Sequence, residues 1–235
     1  SAWSNTEHAY DICKLPASYG DAAYALIGHY IDPVNNIADY AVYFTFDGGQ
    51  TFKVVLYPTT TNNASSTGQA CFVLDGKLYV TARGKLWVWN GTNPGDWDPW
   101  ANHFTVATTQ YTGNSTLTTG QLGAANSTVA ILFGYISNTG GLVAFDGNSA
   151  WLARPEAGAA PIIAHTDGYL YTINASGLLR TTNGRNWYRN TSTPYPSASL
   201  PTFISLAIDD TTVWGGTADS KIWAFAALAG PWVAI

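Results

Sequence analysis

The chain has 235 residues and a formal net charge of -5, with 46% hydrophobic and only 11% charged residues. That length buries a substantial core as one domain or one repeat array. The charged fraction, against a usual value of about 25%, leaves a neutral surface rich in Thr, Ser, Asn, Gly and Tyr. Ten scattered Lys and Arg form no basic stripe, so nucleic acid is not an expected partner. No apolar run reaches the roughly 18 residues of a membrane span.

No window carries apolar residues at i, i+3, i+4 and i+7 between a capping start and a Gly stop. Short β-favouring runs broken by Gly, Asn, Asp and Pro recur instead, which predicts an all-β protein. Residues 1–20, with Trp3, Tyr10 and Cys13, read as an N-terminal arm. Strands are predicted at 24–31 and 37–46, and Asp47-Gly48-Gly49 supplies the positive-φ positions of a tight hairpin returning along 52–57. The stretch Thr45-Phe46-Asp47-Gly48-Gly49-Gln50-Thr51-Phe52 resembles the Asp-box, or BNR, hairpin of β-propellers, whose pattern is Ser/Thr-x-Asp-x-Gly-x-Thr-aromatic. Thr45, Asp47, Gly49, Thr51 and Phe52 match it. The resemblance implies that Asp47 braces its own turn and that Phe52 packs between blades. It also implies a folding device and not an active site.

Residues 58–68 read as a polar surface loop. Strands at 70–75, 77–82 and 85–89, separated by Asp75-Gly76 and Arg83-Gly84 turns, precede a loop at 90–102 and a strand at 103–108. That is a four-stranded meander of the kind that makes one blade. After a polar connector at 109–127, strands at 128–136, 142–145 and 150–153 turn at Asn138-Thr139-Gly140-Gly141 and Asp146-Gly147. Residues 161–190 repeat the plan, and strands at 202–208, 211–215, 221–225 and 231–235 make a last meander.

Asp75-Gly76-Lys77-Leu78-Tyr79 is similar to Asp167-Gly168-Tyr169-Leu170-Tyr171, and Lys85-Leu86-Trp87 to Lys221-Ile222-Trp223. Thr181 to Trp187 resembles an Asp-box shortened by one residue, with Asn183 in place of Asp; Ala144 to Trp151 is a poorer copy. Five units about 45 residues apart predict a single β-propeller domain over 1–235, with five blades of four antiparallel strands. Four blades follow if the first unit is partial. A β-sandwich is the alternative fold.

The chain starts at Ser1 and contains no Met, as expected of one that has lost an N-terminal targeting segment. Cys13 and Cys71 are the only possible intrachain pair. In a secreted protein they form one disulfide tying the arm to a strand, the alternative being two buried free thiols. Asn-x-Ser/Thr sequons stand at Asn63, Asn90, Asn114, Asn126, Asn174 and Asn190. Together these features predict a secreted, extracellular glycoprotein.

Catalytic groups are sparse. Glycoside hydrolysis needs two carboxylates, one held protonated, and Glu7 and Glu156 are the only Glu. Asp47, Asp75, Asp146 and Asp167 each precede Gly and are explained by turns. Among the remainder, which include Asp21, Asp39, Asp209 and Asp210, Asp21 with Glu156 is a conceivable pair that no spacing demands. Sialidases, which also carry Asp-boxes, clamp a carboxylate with three arginines. Here Arg83 and Arg154 stand apart from Arg180, Arg185 and Arg189, which share one unit, so the match is poor. No Gly-x-Ser-x-Gly elbow and no metal-ligand spacing occurs. His29 and His165 alternate within strands and read as structural histidines. No cofactor is expected.

The aromatic content, 10 Trp and 14 Tyr, is the most unusual feature. Trp97-Asp98-Pro99-Trp100, with Asn102, lies in a polar loop. Indole faces beside carboxylates and amides suit sugar recognition, because pyranose C–H faces stack on indole while hydroxyls need polar partners. Trp187 with Asn183 and Arg185 is a second candidate. Trp87, Trp89, Trp151, Trp187, Trp214, Trp223 and Trp232 otherwise read as filling between blades. The sequence therefore predicts a non-catalytic, lectin-like propeller with glycans as partners. A structural subunit that self-associates through sheet edges and its apolar C-terminal segment is the alternative, and a glycoside hydrolase the third reading.

Overall fold

A computed structural model describes residues 9–31, 38–56, 70–82, 85–89, 104–106, 117–136, 139–153, 161–174, 177–191, 203–225, 228 and 230–235. The described residues form five antiparallel sheets, with one 3-10 turn at Ala17–Tyr19. The chain divides into two compact units. The first is Ser1–Thr109 with Leu117–Leu122, and the second is Gln110–Thr116 with Gly123–Ile235.

In the first unit, β1 (Ala9–Lys14), β2 (Tyr24–Ile31), β3 (Ala38–Thr45) and β4 (Lys53–Leu56) make one sheet in chain order. The predicted N-terminal arm thus carries an edge strand of its own. A second sheet holds β5 (Ala70–Leu74), β6 (Lys77–Ala82), β7 (Lys85–Trp89) and β8 (Phe104–Val106), also in chain order. Alternation puts Ala25, Ile27, Val42 and Phe44 of the first sheet against Cys71, Val80, Trp87 and Trp89 of the second in one buried cluster. The β5–β6 hairpin turns on Asp75 and Gly76, both at positive φ (49° and 70°). Two left-handed residues in a two-residue loop match the right-handed twist of the strands they join.

The second unit holds three sheets. β9 (Leu117–Ala125), β10 (Ala130–Ile136), β11 (Thr139–Phe145) and β12 (Ala150–Ala153) form the third sheet of the protein, and Leu117–Leu122 of β9 groups with the first unit. The fourth sheet starts with β13 (Ile162–Ala164), β14 (Leu170–Asn174), β15 (Gly177–Thr181) and β16 (Tyr188–Asn190). The fifth contains only β17 (Phe203–Ile208), β18 (Val213–Thr217) and β19 (Ile222–Phe225). Leu170 and Leu179 pack the fourth sheet onto the third around Ile131, Ala144 and Trp187. Tyr171, Ile173 and Leu178 pack its other face onto Phe203, Val213 and Phe225 of the fifth.

The last predicted strand does not complete a meander with its neighbours. β20 (Trp232–Ala234) pairs antiparallel with β16, Tyr188 opposite Ala234 and Asn190 opposite Trp232, and makes the fourth sheet five-stranded. The Thr191 amide donates to the Pro231 carbonyl at 3.0 Å and the Ile235 amide to the Trp187 carbonyl at 3.0 Å, extending the ladder at both ends. The sequence predicts units of four strands throughout. The sheets hold four, four, four, five and three, because the free edge of β16 takes the returning chain.

Candidate functional site

Side-chain oxygens of Asp and Asn brace most of the described hairpins, which commits those groups before any ligand is considered. Asp47 Oδ1 accepts the amides of Gln50 at 2.9 Å and Thr51 at 3.0 Å, and Oδ2 accepts the Thr51 hydroxyl at 2.6 Å. Thr45 Oγ1 donates to Asp47 at 2.8 Å and accepts from the Gly49 amide at 2.8 Å. The hydroxyl and amide of Thr51, then the hydroxyl of Thr45, hold the Asp47 carboxyl far below the usual carboxylate range. Asp146 accepts the amides of Asn148 and Ser149 in the same manner.

Asn183 plays this part in the fourth sheet. Its Oδ1 accepts the amides of Arg185 and Asn186, both at 2.9 Å. The Trp187 side chain is 3% exposed, inside the cluster between the third and fourth sheets. Arg185 is exposed and stacks its guanidinium 3.9 Å above the Trp151 ring. The predicted triplet of Asn183, Arg185 and Trp187 is therefore a braced turn with a buried anchor. Trp187 offers no face to a sugar. Trp97, Asp98, Trp100 and Asn102 lie outside the described residues, as does Glu156.

Of the tryptophans read as filling, Trp87, Trp89 and Trp187 are buried, while Trp214 is 41% exposed. Trp214 is the second residue of β18, the middle strand of its sheet, with Ala207 of β17 and Ala224 of β19 opposite it. Methyl-sized partners on both sides leave the indole uncovered. The adjacent row on the same face is Ser205, Gly216 and Ile222, with Ile222 78% exposed. The other face of β18 turns Val213, Gly215 and Thr217 inward, so strict alternation divides this strand.

A carboxylate rims this surface at the β17–β18 turn. Asp209 Oδ1 accepts the amides of Thr211 and Thr212, both at 2.8 Å, and Oδ2 accepts Trp214 Nε1–H at 3.0 Å. The Trp214 N–H first, then those two amides, hold Asp209 down to about 2. It is ionised at any physiological pH, and an Oδ2 engaged by one donor has acceptor capacity left for a hydroxyl. At the far end, Lys221 Nζ pairs with Asp219 Oδ2 at 2.7 Å. Sequence reading missed Trp214 because its neighbours across the sheet are invisible without the register. The inward Val213 next to it was the available sign.

A second polar cluster is structural. The Arg180 guanidinium lies between two rings, 4.1 Å from the Tyr169 centroid and 4.0 Å from that of Trp232. Buried Tyr171 donates its hydroxyl to Asp167 Oδ2 at 2.6 Å, and His165 Nδ1 lies 3.1 Å from Asp167 Oδ1. Burial raises the Asp167 carboxyl, but hydrogen bonds from Tyr171, the Tyr169 amide and His165 outweigh it and hold it low. Burial and the Asp167 carboxylate push the Tyr171 hydroxyl above its ordinary range.

Two sequons meet physical obstacles. Asn190 is 1% exposed. Asn126 donates its amide to the carbonyls of Gly168 at 2.8 Å and Thr182 at 3.0 Å, bonds that a glycan on that nitrogen would disrupt. Asn174 ends β14, and Asn63, Asn90 and Asn114 lie outside the described residues. The thiols of Cys13 and Cys71 are not bonded to each other here. Among the described residues no helix is long and apolar enough to cross a membrane, and no group of three or more His, Cys, Asp or Glu could hold a metal ion. Against known proteins, the chain matches no family model and no curated sequence.

Proposed function

We propose that this is an extracellular, non-catalytic glycan-binding protein whose sheets are blades of an Asp-box β-propeller, with Trp214 and Asp209 as its sugar platform. The observation that carries the reading is an exposed indole flanked by two alanines, its N–H tied to an ionised carboxylate. A pyranose stacks on such a ring while its hydroxyls reach Asp209, Thr211 and Ser205. The propeller reading draws support from the fourth sheet, which is packed by a sheet on each face, and from the Thr45–Asp47 and Thr181–Asn183 braces. A second reading, self-association, is favoured by the exposed Ile204 and Ile222 on the fifth sheet.

The test is sugar binding followed by tryptophan fluorescence and a glycan array, with native mass measured in parallel. Trp214→Ala is expected to weaken binding of the preferred sugar roughly 30-fold, the loss of a hot-spot contact of about 2 kcal/mol, without lowering the unfolding temperature. Unchanged affinity in Trp214→Ala removes the platform. No response to any sugar, together with large species that Ile222→Ser disperses, moves the function to assembly.

Binding is also expected to be level from pH 8 to about 4. The Asp209 carboxyl is depressed in the fold, so its charge and the stability it contributes are present above its ordinary pKa of about 4. Both fade as pH falls toward about 2. A midpoint near pH 6 would point to a different acceptor.

A further inference from the structure

Cys13 and Cys71 come from different sheets of the first unit and meet over one residue. Cys13 of β1 stands opposite Ala25 of β2. Cys71 of β5 donates its Sγ–H to the carbonyl of that same Ala25 at 3.5 Å, and Cys13 packs against the buried cluster that holds Cys71. Asp11 Oδ2 accepts the Cys71 amide at 3.0 Å, so β5 is held against β1 at this point by a bond independent of sulfur. Cys71 is 1% exposed, whereas Cys13 is partly exposed and open to a small reagent. We propose that Cys13 and Cys71 form a cross-sheet dithiol that a small-molecule disulfide oxidises to a single bond joining the first sheet to the second.

The exchange balances without a further reactant. The Cys13 thiolate attacks one sulfur of the oxidant, breaks its S–S bond and releases one small thiolate, which takes up the proton Cys13 gave. Cys71 then loses its proton and attacks the Cys13 sulfur of the mixed disulfide, expelling the second small thiolate, which is protonated in turn. Two protein thiols are oxidised and one small disulfide is reduced to two thiols. The neighbouring Cys13 thiol, burial and the nearby Asp11 carboxylate push the Cys71 thiol up, so the second step is the slow one. The bond ties residues 13 and 71 into one long loop and stabilises mainly by restricting the unfolded chain.

The experiment uses the full chain, reduced, then equilibrated with oxidised and reduced glutathione, trapped with N-ethylmaleimide and weighed intact. Oxidising ratios are expected to give a species lacking two hydrogens, unalkylated, with the Cys13 and Cys71 peptides joined in a non-reducing digest. Its unfolding temperature is expected to stand about 5–15 °C above that of the reduced form. Cys13→Ser changes a partly exposed position. It is expected to unfold with the reduced protein, to ignore glutathione, and to leave Cys71 unalkylated until denaturant is added. Two alkylated thiols at every ratio, or a glutathione adduct on Cys13 that never resolves, would overturn the proposal.

Discussion

Trp187→Ala is expected to lower the unfolding free energy by about 3–5 kcal/mol, the range for removing a buried Trp or Phe side chain. Trp187 is 3% exposed and fills the space bounded by Ala144, Ala153, Leu170 and Leu179. Its removal leaves a cavity between two sheets whose strands are pinned by their ladders, and pinned walls collapse little. The indole Nε1 is buried with no hydrogen-bond partner, so Trp187→Phe discards an unpaired donor with much of the packing kept. That variant is expected to lose under about 1.5 kcal/mol. Urea unfolding of both variants decides it. A loss below 1 kcal/mol for Trp187→Ala would mean that the ring is no anchor and would reopen it as a ligand contact.

Gly184→Ala is expected to lose about 2–4 kcal/mol, by crowding and backbone strain together. Gly184 has φ +66°, and an added Cβ would sit 2.8 Å from the Ala144 Cβ of β11. The backbone is not free to retreat, since the Gly184 amide donates to Thr181 Oγ1 at 2.9 Å and Asn183 fixes the following residues. Ala144→Gly in the same chain removes the crowding and leaves the strain. The two changes are therefore expected to be non-additive by about 1 kcal/mol or more in a double-mutant cycle. Strict additivity would place the whole effect in the backbone.

What the sequence made legible follows from how local each determinant is. Asp75-Gly76 and the Thr45 to Phe52 stretch could be read as hairpins because a two-residue positive-φ turn, or an Asp that reaches its own backbone, is decided within eight residues. The all-β class followed from the same punctuation. The partner of β20 could not be read, because pairing Asn190 with Trp232 depends on an open edge at β16 and on nothing in either strand's composition. Trp187, between Asn186 and Tyr188, and Trp214, between Val213 and Gly215, carry no mark in the sequence of which one is buried. What separates them is whether another sheet covers their face: the third covers Trp187, and Trp214 looks outward. Asn183 was legible as a turn brace, since its place two residues after Thr181 matches that of Asp47 after Thr45; the burial of Trp187 beside it was not.

The pairing of β16 with β20 alters how the second unit comes apart. In a plain repeat array each unit touches only its neighbours and can fray from the end. Here β17, β18 and β19 are enclosed between two paired strands, and Trp232 on the returning strand covers the Arg180 guanidinium of the sheet it rejoins. Releasing the fifth sheet requires stripping β20 from β16 and uncovering that cation, while losing the fifth sheet exposes Tyr171, Ile173 and Leu178. The two sheets are therefore expected to melt as one cooperative block, so that stripping β20 from β16 also loosens the sheet that bears Trp214.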